Sequence, residues 1–205
     1  MRKYKMICFV FLTFFLLSCK NGSQKDEIIS LKKQISEAYT MIPTYIFEIN
    51  DDIDYSQYDE VKKIDSLFKL YEKKPLNQRD SQLLGIAKSK VSILIGEFDK
   101  AVLELNNLKS YKELENYKNT LLAISYSYLN EKKSKKIHFE IVLDDFESNI
   151  LKGEDDLCFD YILVCFLYDV GDLTMCENES FFLDELKLKG KREVIISYFL
   201  DFLEI

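Results

Sequence analysis

Proline and glycine are scarce in this sequence, and tryptophan is absent. The 205 residues include two prolines and six glycines, the residues that most often form tight turns. An all-β protein joins many short strands through such turns, so the composition argues against an all-β fold. Lysine, glutamate, leucine and isoleucine are common instead, which suits helices. We therefore expect an all-α protein.

The sequence also lacks an excess of basic residues, because acidic residues outnumber them. The sequence has 28 lysines and arginines against 35 aspartates and glutamates, which gives a net charge of −7. Nucleic-acid binding depends on clusters of lysine and arginine that neutralise phosphates. The acidic balance therefore argues against nucleic acid as a partner, and it favours a basic or amphipathic protein segment.

Residues that commonly form catalytic or metal sites are few. His138 is the single histidine, so a catalytic triad would have to use it, and solvent exposure is its expected environment. Asp51, Asp52 and Asp54 lack the glycine and the final glutamate of a calcium loop. No glycine-rich phosphate loop occurs in the sequence. We expect no catalytic residue, no metal site and no cofactor.

The N-terminus has the pattern of a secretory signal peptide. Three basic residues precede an apolar run from Met6 to Leu17, and the small residues Ser18 and Cys19 follow it. The run is about 12 residues long, whereas a membrane-spanning helix needs about 20. We expect residues 1–18 to be removed after export. Their removal takes away three basic residues and leaves a mature charge of 25 − 35 = −10.

Residues 16–19, Leu-Leu-Ser-Cys, resemble the lipobox of bacterial lipoproteins. The resemblance implies that Cys19 carries a diacylglycerol and that fatty acyl chains such as palmitate hold the mature chain to a membrane. Two or three acyl chains give a stable anchor. Residues 19–26 are polar and are expected to form a short tether. Asn21 stands where an inner-membrane retention signal has aspartate, which implies the outer membrane if the host has two, on its periplasmic or surface face.

Residues 27–205 are expected to form a single all-helical domain. Apolar residues recur at steps of three and four over 28–42 and 58–71, which is typical of amphipathic helices. The stretch 137–143 is rich in β-branched residues, so a strand is an alternative there. Beyond residue 80 the pattern predicts helical hairpins and a C-terminal capping helix, at about 80–110, 117–148, 157–188 and 192–204.

Two of the predicted hairpins are spaced 34 residues apart. Gly96 and Asn130 mark their turns, and Leu105 and Phe139 occupy equivalent positions in the second helices. Glycine and asparagine both tolerate the left-handed conformation that ends a helix. A unit of 34 residues built from two helices has the spacing of a tetratricopeptide repeat.

The residues at these positions extend that resemblance. Residues 95–101, Ile-Gly-Glu-Phe-Asp-Lys-Ala, are similar to the turn of a tetratricopeptide repeat, and residues 122–126, Leu-Ala-Ile-Ser-Tyr, are similar to its first helix. Lys132 and Lys135 depart from the pattern in the second unit. The resemblance covers about residues 80–148 and implies stacked antiparallel hairpins, a short α-solenoid. A helical hairpin unrelated to that family is the alternative.

Three cysteines follow in the C-terminal part of the chain. Cys158 and Cys165 are seven residues apart, about 10 Å along a helix, so they cannot bond to each other. Cys165 and Cys176 lie on either side of a turn at Gly171, so an antiparallel hairpin would allow a disulfide between them outside the cytoplasm. Three buried thiols are the alternative, and the spacing matches no zinc signature.

The resemblance to lipoproteins with tetratricopeptide-like bodies implies a scaffold or adaptor in the bacterial cell envelope. Stacked hairpins offer a concave surface for an unidentified protein or peptide partner. An immunity protein that neutralises an envelope-acting toxin is the second hypothesis, since a small, acidic, tethered chain would serve that role. An envelope hydrolase is the third, and the sequence does not single out a pair of residues that could act as its acid and base.

Overall fold

The computed structural model describes residues 25–42, 54–168, 176 and 192–201. These residues form eight α-helices and no strand, so the expected all-α class is confirmed. Three short 3-10 turns lie between helices, at Tyr55–Gln57, Lys112–Leu114 and Asp155–Leu157. The helices are α1 (25–39), α2 (Asp59–Glu72), α3 (Gln78–Leu94), α4 (Phe98–Asn106), α5 (Glu115–Tyr128), α6 (Lys132–Ile150), α7 (Cys158–Tyr168) and α8 (Arg192–Asp201).

The apolar stripes read from the sequence are the buried faces of these helices. In α2, the buried positions are spaced three and four apart, which places them on one side of the helix: Val61, Ile64, Leu67, Phe68 and Tyr71. The stretch 137–143 lies inside α6, so the strand alternative is wrong there. Cys19, the tether up to residue 24, Asp51, Asp52 and the turn at Gly171 lie outside the described residues.

The turns that end α3 and α5 share one backbone geometry. Gly96 has a φ of 81° and Asn130 a φ of 58°, both in the left-handed region. The N–H after Gly96 donates to the Ser92 carbonyl at 2.8 Å, and the N–H after Asn130 donates to the Tyr126 carbonyl at 2.9 Å. This six-to-one bond is the hydrogen bond of a Schellman helix end. The 34-residue spacing of the sequence is therefore repeated in the backbone.

A buried lysine lies where α1, α3 and α5 meet. Lys90 of α3 is 1% exposed, and its Nζ lies 5.9 Å from the ring centre of Tyr39 and 5.0 Å from that of Tyr117. Both rings stabilise the cation through their negative faces. Lys32 near the middle of α1 forms an ion pair of 2.6 Å with Asp80 in the first turn of α3. Tyr39 and Lys90 meet further along both helices, so α1 and α3 run parallel.

The C-terminal helix α8 connects distant parts of the chain. The hydroxyls of Tyr39 in α1 and Tyr117 in α5 donate to backbone carbonyls of α8, and Tyr198 of α8 donates to Asp160 of α7 at 3.4 Å. The sequence prediction placed a capping helix over the last hairpin. In the structure α8 also contacts α1 and α5, so it joins the first described helix to the later ones.

Candidate binding groove

A continuous groove follows α3, with α2 on one side and α4 on the other. Three openings form it, with volumes of about 350, 590 and 490 Å³. The first and second share Lys88 and Glu104, and the second and third share four residues: Leu76, Ser81, Asn107 and Leu108. We call this surface the α2–α4 groove. It runs from the 3-10 turn before α2 to the segment after α4, so it extends along the 17 residues of α3.

The floor of the α2–α4 groove is apolar near the start of α2. Val61, Ile64 and Phe68 of α2 face Val91 of α3 there, with Ile95 beyond them. All five side chains belong to the hydrophobic core, so the floor is held in place by the packing of the domain. These side chains are 0–6% exposed, so they fix the shape of the groove and present only a little apolar surface to a ligand.

A glycine brings the two walls of the groove together at its centre. Gly85 of α3 has no side chain, and a Cβ added there would overlap the side chain of Leu108. Leu108 therefore rests against the α3 backbone and closes the floor between the second and third openings. Glycine is unfavourable inside a helix, and here it allows this close approach.

Charged side chains line the rim, and lysines outnumber acids. Five lysines and three acidic residues belong to the lining, which gives the lining itself a net charge of 5 − 3 = +2. The lysines are Lys62, Lys74, Lys88, Lys100 and Lys109, and the acidic residues are Asp65, Glu72 and Glu104. Two of these lysines pair with acids outside the lining, Lys74 with Glu27 and Lys100 with Glu97. With these two acids counted the rim is neutral, 5 − 5 = 0, whereas the whole sequence has a net charge of −7.

Several of these groups bind each other. Lys88 pairs with Glu72 across α2 and α3, and Lys100 pairs with Glu97 at 2.7 Å. The Ser92 hydroxyl donates to Glu104 Oε2 at 3.2 Å. Burial raises the pKa of Glu104, against the opposing effect of Lys100. Glu104 therefore takes up a proton more readily than an exposed glutamate does.

In the second hairpin, the two positions equivalent to Ser92 and Glu104 are also in contact, but they hold different residues. His138 stands 34 residues after Glu104, and Tyr126 stands 34 residues after Ser92. The two rings stack with centres 5.5 Å apart, and His138 Nδ1 lies 2.7 Å from Asn119 Oδ1. Burial and then Lys118 lower the pKa of His138. The expected solvent exposure of His138 is therefore wrong, because this side of α6 faces α5.

The structure corrects the predicted disulfide. Cys158 is bonded to Cys176, with their Cα atoms 5.6 Å apart, and Cys165 is a buried free thiol. The predicted pairing of Cys165 with Cys176 is wrong because Cys176 lies at the N-terminal end of α7, two turns away from Cys165. Burial raises the pKa of Cys165 to about 11, so its thiol remains protonated and unreactive near neutral pH.

Asp54, the described aspartate before the 3-10 turn, binds the backbone. The Asp54 carboxylate accepts a hydrogen bond from the Ser56 N–H at 3.1 Å and caps the 3-10 turn Tyr55–Gln57. Hydrogen bonds from Ser56 and Gln57 lower the pKa of Asp54. Within the described ranges, no group of three or more potential ligands could hold a metal ion. In the same ranges, no helix has the length and apolar character to cross a membrane.

Comparison with protein-family models, with curated proteins and with solved structures gave no match for this chain. Its role is therefore inferred from its own residues and geometry.

Proposed function

We propose that this chain is a bacterial lipoprotein whose helical body binds a segment of another protein in the α2–α4 groove. A lipid on Cys19 holds the body to a membrane of the cell envelope, and the body acts as a scaffold or adaptor. The groove carries this proposal, because it combines an apolar floor, a charged rim and the length of a whole helix. Grooves of this type receive amphipathic helices.

A tetratricopeptide-like solenoid is the architecture we propose for the body. The matching helix ends at Gly96 and Asn130 support it, and so do the equivalent contacts of Glu104 and His138. Successive hairpins in such an array bury a shared core and leave grooves between their helices. The α2–α4 groove is formed by α3 and α4, the two helices of the first repeated unit, together with α2 before them.

Export to the envelope is supported by the disulfide as well as by the N-terminal pattern. Disulfides such as Cys158–Cys176 form and persist in oxidising compartments outside the cytoplasm. Asn21 favours the outer membrane for a host that has two, as the lipoprotein resemblance implies.

The groove favours binding over catalysis, and it favours an acidic partner segment. Its central polar groups are held in contacts with one another, as in the pairs Lys88–Glu72 and Ser92–Glu104. The overall charge suggested a basic or amphipathic partner, whereas exposed lysines at the rim such as Lys62 favour apolar residues flanked by aspartate or glutamate. The charges at the rim determine which partner segment the groove favours, because exposed charges beyond about 10 Å are largely screened.

Replacing Cys19 with serine is expected to abolish lipid attachment, because without the thiol no diacylglycerol can be attached. Cleavage before residue 19 is expected to fail as well, so the variant should carry residues 1–18 and no lipid. Membrane and soluble fractions of cells making the wild type or Cys19→Ser chain should be compared by immunoblot, with mass spectrometry of the mature N-terminus. An N-terminal peptide without lipid in the wild type would refute the anchor.

Reversing one rim charge is expected to weaken partner binding by at least about tenfold, since placing like charges together costs more than about 1.4 kcal/mol. Lys62 lines the groove, while its neighbour Lys63 is exposed on α2 outside the lining. Tagged wild type, Lys62→Glu and Lys63→Glu chains should be purified from solubilised membranes, and co-purifying proteins should be quantified by mass spectrometry.

The Lys63→Glu variant serves as the matched control, because it makes the same charge change one residue away. A partner retained by Lys63→Glu and lost by Lys62→Glu supports the groove as the binding site. Equal recovery of every co-purifying protein from both variants would show that the groove is not the binding site.

A further inference from the structure

The charges of α6 run against the helix dipole. Its N-terminal five residues carry all four of its lysines, and its C-terminal half carries three acidic residues: Lys132, Lys133, Lys135 and Lys136, then Asp144, Asp145 and Glu147. Within α6 no acidic residue occupies the first turn and no basic residue the last. A helix dipole favours the opposite arrangement. In the same protein α2 follows the rule, with Asp59 and Glu60 in its first turn and Lys69 in its last.

Two isoleucines lie between these charged halves on the outer side of α6. Ile137 is 46% exposed and Ile141 is 44% exposed, although the helix buries Phe139, Val142 and Phe146 completely or nearly so. At 100° per residue, the isoleucines point away from those buried residues. The pair is one turn apart, so it forms a small apolar strip at the centre of an exposed helix face.

This face is complementary to a second copy of itself. If two α6 helices lie antiparallel and cross near Phe139, Ile137 of one faces Ile141 of the other, since the two positions are equally far from residue 139. Lys133 lies six residues before residue 139 and Asp144 five residues after it, so the antiparallel crossing brings Lys133 of one copy to within about 1.5 Å, measured along the helix, of the level of Asp144 of the other, on both sides of the crossing. An arrangement of this kind is a closed two-fold interface, in which every contact occurs twice.

We propose that two copies of this chain associate through antiparallel α6 helices, with Ile137 and Ile141 at the centre and Lys133–Asp144 pairs on either side. Lys133 and Asp144, two of the charges that oppose the dipole within one helix, are neutralised by the partner helix, and the two antiparallel dipoles also attract. The inference depends neither on the groove, which α6 does not line, nor on the lipid anchor.

A charge-exchange experiment tests this pairing. The mature chain, with whatever lipid it carries, should be purified in density-matched detergent and studied by sedimentation equilibrium. The wild type is expected to dimerise, and Lys133→Glu and Asp144→Lys are each expected to weaken the dimer at least tenfold, because each creates two like-charge pairs. The double variant Lys133→Glu/Asp144→Lys restores opposite charges and should dimerise within about threefold of the wild type.

Two further variants separate this surface from general effects of charge and folding. Lys63→Glu on α2 should leave the dimer unchanged, and Ile141→Ser should weaken it, while circular dichroism melting checks that each variant is folded. A wild type that stays monomeric over the whole concentration range overturns the proposal. So do single variants that dimerise like the wild type, or a double variant that fails to recover.

Discussion

Replacing Phe139 with alanine is expected to lower the free energy of unfolding by about 3–5 kcal/mol, the cost of emptying a fully buried aromatic site. Phe139 is 0% exposed, and its ring stacks on Tyr168 of α7 with centres 5.1 Å apart. The cavity would therefore open between α6 and α7. Thermal unfolding should show a fall in Tm of about 6–20 °C for a chain of this size.

Leu103→Ala provides the control for this prediction. Leu103 stands one repeat before Ile137 and is 63% exposed, so its truncation removes little buried surface. We expect it to change the free energy of unfolding by less than about 0.5 kcal/mol, as is usual for surface sites. Similar losses in both variants would contradict the assigned burial of Phe139.

Loss of the Cys158–Cys176 disulfide is expected to cost about 3 kcal/mol of stability. The bond closes a loop with a sequence separation of 18 residues, and a loop of that length restricts the unfolded chain by about that amount. Guanidinium unfolding of the wild type and of Cys158→Ser/Cys176→Ser should show the difference as a lower midpoint. A reductant should lower the wild-type midpoint to a similar degree and leave that of the double variant unchanged.

Cys165→Ala tests which cysteines are bonded. Cys165 is a free thiol, so this variant should keep its sensitivity to reductant and lose about 1 kcal/mol or less. If Cys165→Ala abolished the response to reductant, then Cys165 would be one of the bonded residues and the pairing described above would be wrong.

Local sequence patterns predicted the helices well. The spacing of apolar residues predicted the ends of α1 and α2 to within about three residues, because each apolar stripe depends on the periodicity of a single helix. Gly96 and Asn130 were predicted as helix ends from their tolerance of positive φ, and both have it. The predicted turn at Phe98 was in part wrong, since α4 already begins there.

Contacts between distant segments were not predictable in the same way. Lys90 reads as an exposed cation in an isolated helix, whereas in the folded chain the rings of Tyr39 and Tyr117 lie beside its ammonium group and help to stabilise it. His138 was assigned to solvent because nothing in the sequence shows that Asn119 and Tyr126 lie beside it. The close approach of Leu108 has one indication in the sequence, Gly85, since a glycine inside a helix often marks a close approach of another element.

The sequence by itself determined the all-helical class, the extent of most described helices and the left-handed ends of two hairpins. It also carries the lipobox-like pattern at Cys19, from which the anchor is proposed. Only the tertiary structure decided the Cys158–Cys176 pairing, the burial of Lys90 and the continuity of the α2–α4 groove. The physical reason is range: helix formation depends on residues within one or two turns, whereas a disulfide, a buried cation and a groove depend on distances between separate helices.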